Sequence, residues 1–220
     1  MVDATVIYYT SNRENPPFED KICQALLKSK GDLPLISVSQ KPMSLGTNIC
    51  VGDVGAEQQH AYRQLLIGAE AATTRFVCTA ESDFLYAPEC FEFCPDDTET
   101  FCLARPCWVL HALHGRQRVA CRKHDFTDAP LIVGRTTLIK RLREMFAGLE
   151  YWSSAWDTKD APYFMDRECV QVSMFDAGIG SVTFKTDENM HRSSVWIKSS
   201  KTKHIPGWGS VSDLLEKYCG

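Results

Sequence analysis

No apolar run in the 220 residues approaches the roughly 18–20 that a membrane-spanning helix needs, so no membrane span is expected. The opening MVDATVIYYTSN lacks a basic stretch followed by a long apolar one, and reads as a strand rather than a secretory signal. GxxxxGK[ST] and GxGxxG are both missing, which argues against a P-loop kinase and a dinucleotide enzyme. There is no CxxC pair among ten cysteines, and no Cys/His pairing that would suggest a cysteine hydrolase. The tightest group, Cys90, Cys94, Cys102 and Cys107, is spaced more widely than ordinary zinc sites. With no export signal, the thiols are expected to be reduced and the protein cytoplasmic. Repeats, low-complexity segments and clean linkers are also missing. The expectation is therefore one domain over 1–220, with halves 1–100 and 101–220.

What is present is ordinary for a folded chain: 44% hydrophobic, 24% charged and 10% aromatic residues, which excludes a disordered or collagen-like protein. The formal net charge of −4 is unevenly spread. Residues 1–100 carry −8 and residues 101–220 carry +4. Within 104–143, nine basic side chains (among them Arg116, Arg118, Arg122 and Lys123) face only Asp125 and Asp128. Such asymmetry suggests that one half handles a cation and the other an anion, although a solvated helix face over 135–143 accounts for part of it.

Hydrophobic periodicity predicts strands over Val2–Tyr9, Leu33–Val38 and Arg75–Thr79, with helices over Phe18–Lys30 and Glu57–Thr73 between them. This alternation means βαβ units and a mostly parallel sheet flanked by helices, an α/β fold. Gly46–Gly52 reads as a loop. Further along, paired strands are expected at Phe101–Leu110 and Arg116–Ala120 and a helix at Thr136–Phe146. Short strands at Val170–Phe175 and Ser181–Phe184 precede a polar loop over Asp187–Gly209 and a helix over Val211–Tyr218. Ligands of such sheets bind outside the carboxyl ends of the strands. Thr10-Ser11-Asn12, Ser39-Gln40-Lys41 and Glu81-Ser82-Asp83 should therefore line one crevice.

The sharpest local feature is Glu81-Ser82-Asp83, two carboxylates just past an apolar strand. Their mutual repulsion is relieved when a cation sits between them, and Mg²⁺ or Mn²⁺ held with a diphosphate is a usual solution. As an isolated acidic pair it reads equally as a solvated turn.

The ordered segments VIYYTSN, DLPLISVSQKPM and YRQLLIGAEAATTRFVCTAESDFLY resemble the nucleotide-binding half of glycosyltransferases of the GT-A fold. The resemblance covers residues 2–90. It implies a Rossmann-like α/β sheet with a smaller C-terminal acceptor sub-lobe, and transfer of a hexosyl or pentosyl group from a nucleotide-diphosphate sugar. The family's commonest donor is a uridine diphosphate sugar. Glu81-Ser82-Asp83 then stands as a variant of the family's metal-binding DxD motif, with Asp83 the direct ligand of Mn²⁺ or Mg²⁺. Thr10, Ser11 and Asn12 would contact the nucleoside, Gln40 and Lys41 the base or ribose, and Arg63 a phosphate. Members of the fold often add a histidine from the C-terminal segment; His191 is the first candidate here and His204 the second. An inverting enzyme also needs a carboxylate base, for which Asp166 and Glu168 match best, with Asp157 and Asp160 as further candidates.

The acceptor is either a saccharide or a polyanion. Phage glycosyltransferases that decorate hydroxymethylcytosine in DNA are the polyanion case, for which Arg116, Arg118, Arg122 and Lys123 would meet phosphates and Trp156 could stack on a base. A phage-encoded chain would act in the host cytoplasm. The competing class is a non-catalytic nucleotide- or DNA-binding module. A sugar-nucleotide pyrophosphorylase is disfavoured because the loop after the first strand, Thr10–Asn15, contains no glycine.

Overall fold

The computed structural model describes residues 3–112, 119–123, 129–152, 164–166, 168–189 and 201–220. Its first half follows the alternation in the sequence: β1 (Ala4–Thr10), α1 (Pro16–Ser29), β2 (Leu35–Ser39), β3 (Thr47–Cys50), α2 (Gln58–Ala71) and β4 (Phe76–Glu81). Every residue of β1 and β2 is buried, as expected for interior parallel strands covered on both faces. These four strands pair in parallel in the order β3-β2-β1-β4, an arrangement seen in dinucleotide-type folds.

Alternate residues of β1 point to opposite faces. Val6 and Tyr8 pack with Cys23 and Leu26 of α1, while Ile7 and Tyr9 pack with Tyr62 and Leu65 of α2. The two helices therefore cover the sheet from both sides. Complete burial of a side chain such as Ile7 contributes about 1.5–3 kcal/mol, and this layer supplies much of the core. Pro16 fits the first turn of α1 because its missing N–H has no intrahelical partner there. Gly68 lets α2 lie directly on Ile7; a Cβ at this position would collide with the isoleucine side chain.

The second half joins the same sheet. After β5 (Phe84–Tyr86) and the short α3 (Glu89–Glu92) come β6 (Phe101–His111), β7 (Ala120–Lys123) and β8 (Leu131–Gly134). β8 pairs antiparallel with both β4 and β6, and so stitches the halves into one sheet of ten strands among the described residues. The central sheet is thus parallel in its first half and largely antiparallel beyond β4. The helix α4 (Arg135–Met145) packs beside α2 on one face; α5 (Val211–Cys219) joins α1 on the other.

Several local expectations change. The predicted loop at Gly46–Gly52 contains β3, a half-exposed edge strand whose mixed burial leaves no clean alternation. The two short strands predicted around 170–184 are one, β9 (Val172–Lys185). Left-handed glycines at 178 and 180 interrupt its pattern, while pairing to β6 continues through a register shift between Arg105 and Cys107. The polar tail carries β10 (Lys201–Thr202), β11 (His204–Ile205) and β12 (Gly209–Ser210). Cys90, Cys102 and Cys107 are buried and Cys94 is exposed; the described residues hold no group of three or more ligands suited to a metal ion. No helix among them is long and apolar enough to cross a membrane.

Candidate functional site

The carboxyl ends of β1 and β4 open into a crevice of about 220 Å³ that includes Thr10, Ser11, Glu81, Ser82 and Asp83. β1 lies between β2 and β4, with α1 and α2 leaving on opposite faces, so the chain parts at this edge and the crevice follows. Gln64, almost fully buried on α2, donates its Nε2 to the carbonyls of Thr10 (2.8 Å) and Val38 (2.9 Å) and fixes both strand ends.

Asn12 takes a left-handed conformation (φ 51°), which asparagine tolerates better than most residues. Its Oδ1 accepts from the backbone N–H of Gln40 (2.9 Å) and Lys41 (2.8 Å), tying the first strand's loop to the second's. Gln40 in turn holds the next loop, with Nε2 donating to the Gly55 carbonyl and Oε1 accepting from Val54 N at 3.2 Å. Gly55 and Ala56 line the crevice, whereas Asn12, Gln40 and Lys41 shape it from behind.

At the β4 end, Glu81 accepts from the Tyr9 hydroxyl at 2.8 Å. Asp83 is buried, and its Oδ2 receives Thr183 Oγ1 (3.0 Å), Lys185 Nζ (3.1 Å) and Asn189 Nδ2 (3.1 Å). Lys185 ends β9, and register with β5 places its strand beside Asp83. Burial acts to lower the Lys185 pKa, but the carboxylates of Asp83 and Glu81 outweigh it and hold the ammonium above its ordinary range.

The sequence reading passed over Glu14. It is buried on the crevice wall, taking Thr186 Oγ1 at 3.0 Å and Asn189 Nδ2 at 2.8 Å. Burial, reinforced by Asp83, pushes its pKa up to about 7. Position is the one signal that could have marked it: an acid shortly past the first strand's end, facing the acids past the fourth. Lys185 carried no local signal, since its role depends on long-range pairing.

As arranged, Asp83 Oδ2 does not fit a divalent cation. Oδ2 already holds three donors, one of them a charged ammonium, and a cation on the same carboxylate would stand against Lys185.

Other expected site residues lie elsewhere. Arg63 is buried between aromatic rings, its guanidinium 3.7 Å from the Phe146 centroid and 4.7 Å from that of Tyr151. Its Nη2 donates to the Glu150 carbonyl, and it is not part of the crevice lining. Asp166 closes a turn by accepting from Glu168 N at 3.0 Å, and neither residue lines the crevice. Arg122 is exposed on β7, and Lys123 ends that strand. His204 is exposed on β11. Arg116, Arg118, Trp156 and His191, with Asp157 and Asp160, lie outside the described residues. Part of the basic run faces away: Arg135 follows Gly134, which pairs with Phe76 at the end of β4 remote from the crevice.

No family model matches the chain, and no curated protein matches it. Among solved structures, the glycosyltransferase GlyE of Streptococcus pneumoniae TIGR4 is similar with a TM-score of 0.48 at 12% identity, over 80% of this chain and 45% of that one. The apo form of GlyE gives 0.46 at 8% identity, over 79% and 45%. The bifunctional IspDF from Campylobacter jejuni gives 0.43 at 12% identity, over 79% and 49%. The chain spans less than half the length of each of these structures. Likenesses of this size carry no weight for the chemistry of the site.

Proposed function

We propose that the chain is a glycosyltransferase that moves a sugar from a nucleotide-diphosphate donor to an acceptor hydroxyl. One observation carries this reading: Thr10 and Ser11 at the end of β1 converge with Glu81, Ser82 and Asp83 at the end of β4 in a crevice at the carboxyl ends of parallel strands. Nucleotides bind at this kind of position in α/β sheets. The resemblance over residues 2–90 supplies the reaction class.

In such a transfer the glycosidic bond to the diphosphate breaks as the acceptor oxygen bonds to the anomeric carbon, and the acceptor's hydroxyl proton passes to the departing diphosphate or to water. The sugar passes through an oxocarbenium-like state, and negative charge builds on the departing diphosphate. The chain must therefore bring positive charge to the leaving group, and Arg13 and Lys185 are the cations on the crevice lining. Mn²⁺ or Mg²⁺, implied by the resemblance, enters no step here because the arrangement at Asp83 does not fit it.

For the acceptor, a polyanion is supported by the edge of the sheet. β10 pairs with β7 so that Lys201 lies opposite Cys121, next to Arg122; Lys201, Lys203 and Arg122 are all exposed. Phosphates of a nucleic acid suit such an edge. Hydroxymethylcytosine in DNA offers the hydroxyl that transfer needs.

The test is sugar transfer from a panel of nucleotide sugars onto hydroxymethylcytosine DNA, unmodified DNA and oligosaccharides, each with EDTA and with Mn²⁺. Labelling of the hydroxymethylated DNA alone is the expected result. Labelling of oligosaccharides alone would keep the transferase and remove the DNA acceptor. Nucleotide binding without transfer or donor hydrolysis would identify a binding module.

A further inference from the structure

We infer that Lys185 is the built-in cation of the crevice, standing on Asp83 where a divalent metal would otherwise sit and offering its remaining N–H groups to the donor's diphosphate. The second part rests on the transferase reading; the first does not. The ammonium lies 3.1 Å from Asp83 Oδ2, with the lysine side chain 16% exposed and the aspartate 8%. Among the described residues, Asp83 is its one hydrogen-bond acceptor, and an ammonium has three N–H donors. Lys185 is part of the crevice lining, so its ammonium is within reach of a ligand there.

The surroundings hold this charge in place. Thr183 and Asn189 both donate to Asp83 Oδ2, and the two N–H groups of the Asn189 amide are shared among Asp83, Glu14 and the Phe184 carbonyl. Glu81 adds attraction from the β4 end. A fixed ammonium needs no reorganisation as the leaving group gains charge, which is the favourable arrangement for transition-state stabilisation. The lining carries Glu14, Glu57, Glu81, Asp83 and Glu188 against Arg13 and Lys185. A diphosphate could enter so acidic a crevice only at a point where a cation meets it.

Two measurements on the full chain test this. In the first, the electron paramagnetic resonance signal of free Mn²⁺ is followed as protein is added. The wild type should leave it unchanged up to millimolar concentrations. Lys185→Met, which frees Asp83 among its neighbouring acids, should bind Mn²⁺ at least tenfold more tightly; Lys185→Arg should exclude it like the wild type. Should Lys185→Met fail to fold by circular dichroism, Lys185→Gln keeps a donor for Asp83 and serves in its place. Wild-type Mn²⁺ binding below millimolar that is lost in Asp83→Asn would overturn the inference.

In the second, uridine diphosphate binding is measured by calorimetry with EDTA and with Mn²⁺. Equal wild-type affinity in both, a loss of tenfold or more in Lys185→Met and recovery to within threefold in Lys185→Arg is the expected pattern. Binding that depends on Mn²⁺ would overturn it. No binding by any protein, together with metal uptake by Lys185→Met, would remove the donor reading and leave Lys185 as the crevice's cation.

Discussion

Glu14 and Asp83, which follow different strands, accept hydrogen bonds from the same Nδ2 of Asn189, at 2.8 and 3.1 Å. One amide thus bridges two carboxylates, and burial, reinforced by the charge of Asp83, raises the Glu14 pKa to about 7 from an ordinary 4.5.

The pH dependence of stability follows from that shift. Below about 4.5 both the folded and unfolded chains hold the Glu14 proton; between there and about 7 only the folded chain does. The folded state then binds more protons, so this group's contribution to stability falls as pH rises through the window and is flat above it. Glu14→Gln removes the effect. After allowance for solvent screening, the variant should gain on the order of 1–2 kcal/mol over the wild type at pH 8 and nothing at pH 4. Melting curves across pH check it, and a difference independent of pH would show that Glu14 titrates normally.

Gln64→Leu tests the framing of the strand ends. The substitution removes the donor shared by the Thr10 and Val38 carbonyls inside a buried region. A loss of about 1–3 kcal/mol is expected, with a melting point lower by roughly 2–12 °C. Weaker nucleotide binding should accompany it. A stable variant with unchanged binding would mean that the loops hold the crevice without this link.

Arg63 separates a packing role from a phosphate contact. Stacked between Phe146 and Tyr151, it contributes by cation–π attraction and by the apolar stem of its side chain. Arg63→Ala should cost about 1–2 kcal/mol of stability. Nucleotide affinity should stay within twofold. A tenfold loss of affinity at full stability would restore the phosphate contact that the resemblance implies.

Charge reversal at the sheet edge tests the acceptor. Arg122→Glu should weaken binding to DNA and flatten the slope of affinity against salt by about one unit per lost phosphate contact. Thermal stability should hardly change, since the side chain is exposed. An unaltered salt slope would move the acceptor away from β7.

The first half of the fold, apart from the edge strand β3, was legible because β1, β2 and β4 are buried on both faces and the helices on one. Runs such as Val6–Tyr9 and Phe76–Cys78 have no polar interruption, and α1 and α2 keep helical spacing. β5 and β8 escaped notice because three- and four-residue apolar stretches carry no period of their own. The site was half visible. Glu81 and Asp83 follow a strong strand, and the structure puts both on the crevice lining with Thr10 and Ser11. Gln40, Lys41 and Arg63 looked like ligand contacts because polar residues near strand ends and helices give the same pattern whether they face a ligand or hold a loop. Glu14, Lys185 and Asn189 become partners only through the pairing of β5 with β9, which nothing local announces.

That pairing also sets an order of assembly. β9 runs in parallel with β6, a contact between segments far apart in the chain, and its last residue is Lys185. Parallel pairing over such separation is slow to form, because the intervening chain must be ordered before the contact is rewarded. β1, β2 and β4 can come together while later residues are still being synthesised. Asp83 cannot receive Thr183, Lys185 or Asn189 until the chain has been made through residue 189. A nascent chain would therefore hold its scaffold before its site, with Glu14 and Asp83 facing each other unbridged until β9 arrives.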